Sequence, residues 1–186
     1  ASSGIGRALA LAYAGHGTTI YLSGRDQGRL DAVAEECRQR SAAAEGRVID
    51  VTDADAMAGW INEADAKTPL DLVIANAGIT NSTSGLADGP ARARRILAVN
   101  VDGVVNTVLP ALAAMDARDR GQIALIASIA GFRGLPTSSA YSASKAMVKA
   151  WGEGLRGERL KTGVRVNVVC PGWVESRITD ANKFDM

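Results

Sequence analysis

Short runs of β-branched and aliphatic residues alternate along this chain with longer stretches in which apolar positions recur every three or four residues. The first pattern predicts buried strands and the second amphipathic helices. Residues 1–6 read as a loop, and 7–14 as a helix stopped by Gly15 and Gly17. A strand is predicted over 18–22, followed by the turn Ser23-Gly24-Arg25-Asp26. From 26 to about 44, Leu30, Val33, Ala34 and Cys37 repeat at helical spacing and form one apolar stripe. Further strands are predicted over 47–51, 70–75, 122–127 and 164–170, the last closed by Pro171-Gly172. Asp53 is placed to cap the helix after the second strand. Long helices are predicted around 91–114 and 138–161.

Strands that are almost continuously Val, Ile and Leu belong to parallel sheets covered on both faces. Their alternation with helices, without a composition break, predicts one α/β domain over 1–186: a doubly wound, Rossmann-like parallel sheet flanked by helices. In such folds ligands bind at the carboxyl ends of the strands, so the residues just after each strand carry the functional signal.

Composition narrows the partners. A net charge of +1, with 22% charged residues, gives no electrostatic reason to expect nucleic acid or an anionic membrane. No apolar run approaches the roughly 20 residues of a bilayer span. Cys37 and Cys170 form no metal-ligand spacing and are expected to be buried free thiols, which suits a reducing cytoplasm. The one histidine, His16, lies between two glycines at a predicted helix end, which argues against Ser-His-Asp hydrolysis and histidine metal sites. The first residue is already inside a glycine-rich turn, so the natural polypeptide is expected to extend at both ends, with a first strand before Ala1 and a substrate-covering region after Met186.

Ser3-Gly4-Ile5-Gly6 leads into the first helix, where glycines let backbone approach a pyrophosphate and the helix N-terminus offers free N–H groups. The second signal is Arg25, which follows the 18–22 strand where an acidic residue would bond the ribose 2′-hydroxyl of NAD. An arginine there accommodates a 2′-phosphate, so NADP(H) is favoured over NAD(H).

Tyr141 and Lys145 stand four apart on a predicted helix and share one face. A phenol with its ordinary pKa of about 10 is a poor acid–base group at neutral pH, and bringing it to about 7 requires about 4 kcal/mol of help for the phenolate. A cation about 4 Å away at an effective dielectric of about 20 supplies that much. Ser128 ends the 122–127 strand, where its hydroxyl can hold a substrate oxygen. Asn100 sits inside a helix, where asparagine has modest propensity and another reason is needed; a side chain bonded to water or backbone there would link Lys145 to solvent.

Taken together, these residues resemble the short-chain dehydrogenase/reductase family over essentially the whole chain. Tyr141-Ser142-Ala143-Ser144-Lys145 is similar to its Tyr-x-x-x-Lys, Ser128 stands thirteen residues earlier as its serine does, and Asn100 falls at its fourth active-site position. Asn76-Ala77-Gly78 resembles a structural turn, with Ala75 where an asparagine is usual; Asp50-Val51 resembles the adenine-contacting pair. Pro171-Gly172-Trp173-Val174 resembles the segment bordering the nicotinamide, and Ser176 falls where a threonine usually bonds the carboxamide.

The resemblance implies an oxidoreductase that transfers hydride between a nicotinamide and a carbonyl or alcohol, with Tyr141 as general acid or base. Lys145 would lower its pKa and bind the ribose, Ser128 would orient the carbonyl, and Asn100 would hold a water in a proton relay. It also implies a homo-oligomer, tetramer or dimer. The competing readings are a catalytically silent NADP-binding sensor or scaffold and a sugar-nucleotide epimerase. Ile129, Phe132, Leu135 and Trp173 suit an apolar substrate pocket and core packing equally well.

Overall fold

The computed structural model describes residues 1–84 and 89–174. In chain order they form α1 (Gly4–Tyr13), β1 (Thr19–Gly24), α2 (Gln27–Gln39), β2 (Ala43–Val48), α3 (Ala54–Lys67) and β3 (Leu72–Ala75). There follow α4 (Pro90–Leu97), α5 (Gly103–Ala117), β4 (Gly121–Ile126), α6 (Ser139–Glu158) and β5 (Val164–Val169). A π-helical turn, Ala98–Asp102, joins α4 to α5, and a 3₁₀ turn, Ile129–Gly131, follows β4.

All the strand pairs are parallel, as the Val- and Ile-rich runs predict, but the expected single sheet is two pieces. β1 pairs with β2, while β4 lies between β3 and β5. The glycine-rich turn borders the first piece, with Ser2 lying against Gly24 at the end of β1. One core joins β3, β4 and β5 to α3, α5 and α6 through residues such as Trp60, Val108, Met115, Ile123, Leu125 and Val148. A second, smaller core packs α1 and α2 on β1 through Leu11, Leu22, Leu30 and Val33.

Two element boundaries depart from the sequence expectation. The second strand begins four residues early: Arg40 closes α2, Ser41 turns through a positive φ of 67°, and Ala43–Val48 then pairs residue by residue with Thr19–Gly24. Pairing with β1 overrides the weak strand preference of Ala-Ala-Glu-Gly, and the more apolar Ile49 and Val51 fall beyond the strand. Helix α1 begins at Gly4, so the glycines form its first turn instead of a loop before it.

Asp53 does cap α3, its carboxylate accepting from the Ala56 N–H at 3.0 Å. Helix 90–117 is apolar enough by composition to cross a membrane, but Val104, Val108, Ala111, Leu112 and Met115 are buried in the core, as in a central helix of an α/β fold. Cys37 is fully buried, whereas Cys170, placed just past β5, is only half-buried; the expected second core thiol lies where the strand leaves the core.

Candidate active site

Strands within each sheet piece are parallel, and the contacts of Gly6 with Asn76 and of Gly103 with Val51 bring the loops after β2 and β3 and the N-terminal ends of α1 and α5 together. Arg25, Asp50-Val51, Asn76-Ala77-Gly78, Ser128 and Pro171-Gly172 all occupy loops that follow strands.

Ser128 caps the 3₁₀ turn after β4; its hydroxyl accepts from the Ala130 N–H at 3.1 Å. The turn lies hard against α6, since a Cβ on Gly131 would come within 2.8 Å of the Lys145 backbone. That contact brings Ser128 to the face of α6 that carries Tyr141 and Lys145. Burial holds the Tyr141 phenol above its ordinary value, and a hydrogen bond with the Ser128 side chain pulls it back.

Lys145 is 3% exposed and its ammonium donates to the Ile126 carbonyl at 2.8 Å. Burial draws its pKa down to about 8. The ammonium stands 5.9 Å from the Tyr141 ring centroid, farther than the close pair expected from the sequence, because the Ile126 carbonyl anchors it toward β4. Instead of a lysine depressing a phenol, the protein by itself presents a protonated phenol beside a buried amine of lowered basicity.

Asn100 occupies the π-helical turn and is 0% exposed. Its Oδ1 accepts from the Ile79 N–H at 2.8 Å, while its Nδ2 donates to the Ile79 carbonyl at 3.0 Å and to Ser144 Oγ at 3.0 Å. Both amide protons are therefore used, and the side chain is a clamp on the loop after β3. Single-turn π-bulges are frequent at functional sites, and this one places Asn100 where the clamp can close. Gly78 fits the same spot: a Cβ there would lie 3.3 Å from Lys145 Nζ and 3.6 Å from Asn100 Oδ1.

Four contributors were not apparent from the sequence. Ser144 Oγ donates to the Tyr141 carbonyl at 2.6 Å and so joins Asn100 to the tyrosine backbone. Ser142 Oγ accepts from the Leu135 N–H at 3.2 Å and ties down the loop before α6. Gly131 permits the close approach just described, and Arg95 holds Asp50. Two serines on an otherwise packed helix face were the available signal for the first pair.

The residues proposed for a dinucleotide form a cradle around the start of α1. Ser3 is its N-cap, Gly4 has a positive φ of 53°, and Ile5 and Gly6 lie in the first turn. A Cβ on Gly6 would come within 2.8 Å of Asn76 Nδ2, so glycine brings this turn onto Asn76-Ala77. Gly24 sits against Ser2, and Arg25 beside it is exposed with no carboxylate partner among the described residues. Arg7, by contrast, is paired with Glu36 of α2.

Burial raises the Asp50 carboxyl, but hydrogen bonds from Arg95 and Thr52 outweigh it and bring its pKa down to about 2. Arg95 Nη2 donates to Asp50 Oδ2 at 2.8 Å. Val51 packs under Gly103, and its carbonyl accepts from Asn106 Nδ2 at 2.9 Å. The Pro171 carbonyl accepts from the Ile129 N–H at 3.0 Å, which joins the loop after β5 to the Ser128 turn and leaves Gly172 beside Ile129. Ser176 lies outside the described residues. Glycines that admit close approach, a helix N-terminus, a free cation and a charged acceptor suit a dinucleotide phosphate backbone and adenosine.

The short chain dehydrogenase family model matches residues 1–185. An uncharacterized oxidoreductase of Myxococcus xanthus is 41% identical over the whole of this chain and 74% of its own length. A galactitol 2-dehydrogenase (L-tagatose-forming) of Cereibacter sphaeroides is 36% identical over 96% of this chain and 70% of its own. The crystal structure of a metagenomic short-chain oxidoreductase in complex with NADP superposes with a TM-score of 0.83 at 30% identity, covering 92% of this chain and 79% of the other. With the strand-end loops arranged as described, the chain belongs to the short-chain dehydrogenase family and has its Rossmann-like α/β fold.

Proposed function

We propose that this protein is an NADP(H)-dependent oxidoreductase acting on CH–OH/C=O groups, with residues 1–186 working as one cofactor-binding and catalytic domain. The observation that carries the reading is the grouping of Ser128, Tyr141 and Lys145 around one face of α6 beside Gly78, next to the Asn100 clamp. Family membership supports the reaction class, and the NADP-bound metagenomic relative supports the cofactor.

Ser3, Gly4, Ile5 and Gly6 would face the pyrophosphate, Arg25 the 2′-phosphate, and Asp50 and Val51 the adenine. Asn76, Ala77 and Gly78 would back the cradle. Tyr141, Lys145, Pro171, Gly172, Val174 and Ser176 would border the nicotinamide ribose and ring. When bound, the nicotinamide supplies or accepts the hydride.

Everything else falls to the side chains. In reduction, Ser128 donates a hydrogen bond to the carbonyl oxygen and steadies the charge that grows there. As the carbon gains its new C–H bond, the C=O π pair moves to oxygen and takes the Tyr141 phenolic proton. A phenol held protonated by burial is ready for this step at neutral pH. The buried Lys145 stabilises the resulting phenolate and returns the proton, and Asn100 keeps the Ile79 loop against the pair. The same reading makes the protein a cytoplasmic homo-oligomer, tetramer or dimer, for which exposed Leu97 and Leu109 of α4 and α5 supply apolar surface.

The test compares NADPH and NADH consumption by the full-length enzyme and by Arg25→Ala with a panel of ketones and aldehydes. The expected result is turnover with NADPH that falls about tenfold or more in the variant, and little change with NADH. Cofactor binding without turnover of any carbonyl would overturn the enzyme reading in favour of a sensor.

A further inference from the structure

We infer that the crevice beside Ser128 and Tyr141 takes ketones or secondary alcohols flanked by hydrophobic groups, not sugars or polyols. This rests on the oxidoreductase reading above and adds the substrate class.

The walls next to the reacting groups carry large apolar side chains that the core does not use. Ile129, one residue beyond Ser128, is 52% exposed; Leu135, 44%; Trp173, 61%; and Val174, 39%. They are neighbours by construction. The Ile129 N–H donates to the Pro171 carbonyl at 3.0 Å, and a Cβ on Gly172 would lie 3.8 Å from Ile129 Cδ1, which ties the Ser128 turn to the Trp173 segment. The Leu135 N–H donates to Ser142 Oγ, next to Tyr141. Single exposed apolar residues are ordinary on a surface, but four carried on the loops around one reaction centre offer apolar surface to a substrate. Phe132 is set aside: Lys149, two turns along α6 from Tyr141, lies 4.8 Å from its ring centroid.

Polar side chains of residues 80–84 already hold hydrogen bonds within the protein. Thr83 Oγ1 accepts from the Thr80 N–H at 2.8 Å, Thr80 Oγ1 is 2.9 Å from Ser82 Oγ, and Ser84 Oγ donates to the Asn81 carbonyl at 3.1 Å. The Asn81 amide itself donates to the Thr137 carbonyl. Among the described residues of these loops, 76–84, 127–139 and 171–174, there is no Asp or Glu to accept from a substrate hydroxyl, and the single charge is Arg133. A site that selects a polyol needs acceptors and donors aimed at its hydroxyls, because each hydroxyl buried without a partner is penalised.

The test uses the full-length enzyme with NADPH and a series of 2-alkanones of increasing length, beside keto-sugars of equal carbon number. Affinities of the matching secondary alcohols for the NADPH-loaded enzyme, where no hydride can pass from the alcohol, are measured by calorimetry. The inference predicts that kcat/KM and alcohol affinity each rise about three- to fourfold per added methylene until the crevice is filled, and that keto-sugars fall about a hundredfold or more below alkanones. Ile129→Ser and Leu135→Ser flatten the chain-length slope; the wild-type series decides the matter even where a variant fails to fold. A flat slope, or preference for keto-sugars and polyols, overturns the inference. Chain-length-dependent alcohol binding without any turnover would uphold the substrate class while removing the oxidoreductase reading.

Discussion

The side-chain amide of Asn100 grips Ile79 by both its backbone N–H and its carbonyl, at 2.8 and 3.0 Å, and passes a third hydrogen bond to Ser144 Oγ. Ser144 in turn donates to the Tyr141 carbonyl at 2.6 Å. The loop after β3 and the helix that carries the Tyr-Lys pair are thereby one hydrogen-bonded unit. Of the two partners the sequence offered for the Asn100 side chain, water or backbone, its two amide protons and its oxygen find protein, two of the three bonds being to the Ile79 backbone.

Removing the Ser144 hydroxyl is expected to loosen this unit. Ser144→Ala leaves a buried Asn100 proton unpaired, which costs about 1–3 kcal/mol of stability. We expect kcat to fall about tenfold while cofactor affinity changes little, because the cradle around α1 is untouched. Ser144→Cys, similar in volume and a weak donor, falls between. Stopped-flow turnover alongside fluorescence titration of NADPH measures both; equal losses in kcat and cofactor affinity would show a general structural defect instead.

The Gly131 contact makes a sharper steric prediction. A Cβ there would meet the Lys145 carbonyl carbon and oxygen at 2.8 Å, both backbone atoms that cannot swing aside. Gly131→Ala should lower stability by about 1–3 kcal/mol and reduce kcat by displacing Ser128 from Tyr141. Gly134→Ala, with nothing within 4 Å of the added methyl, is the matched control and should leave both nearly unchanged. Thermal denaturation of the two variants tests this directly.

Lys145 links stability to pH. Its pKa is about 8 in the folded protein against an ordinary 10.5, so between those values the unfolded chain holds a proton that the folded one has released. Stability from this group therefore rises with pH across that window, by about 3 kcal/mol in all. Relative to Lys145→Met, the wild type should gain that much between pH 8 and 10.5 in denaturant titrations. A difference that stays constant with pH would contradict a buried, weakly basic Lys145.

Much of this was legible in the chain, and the misses have physical causes. The parallel strands declared themselves through aliphatic runs such as Leu72–Ala75, and the Tyr141, Lys145, Ser128 and Asn100 set through its resemblance to a known family. The β2 register was not legible, because Ala43–Val48 has little strand character and is fixed by its partner β1. Ile129, Leu135 and Trp173 were ambiguous because an apolar residue after a strand suits a core and a crevice alike; only their exposure separates the two. Ser144 stayed hidden since its partners lie 44 residues away at Asn100 and one turn back at Tyr141.

The most direct test of the account is Tyr141→Phe, which removes one oxygen and keeps the ring in place. Carbonyl-dependent NADPH consumption and NADPH affinity should be measured on the same preparations of wild type and variant. The account predicts turnover reduced by about 10²-fold or more, with cofactor affinity held within a few-fold. Turnover that survives the loss of the phenol would contradict the assignment of Tyr141 as the proton donor.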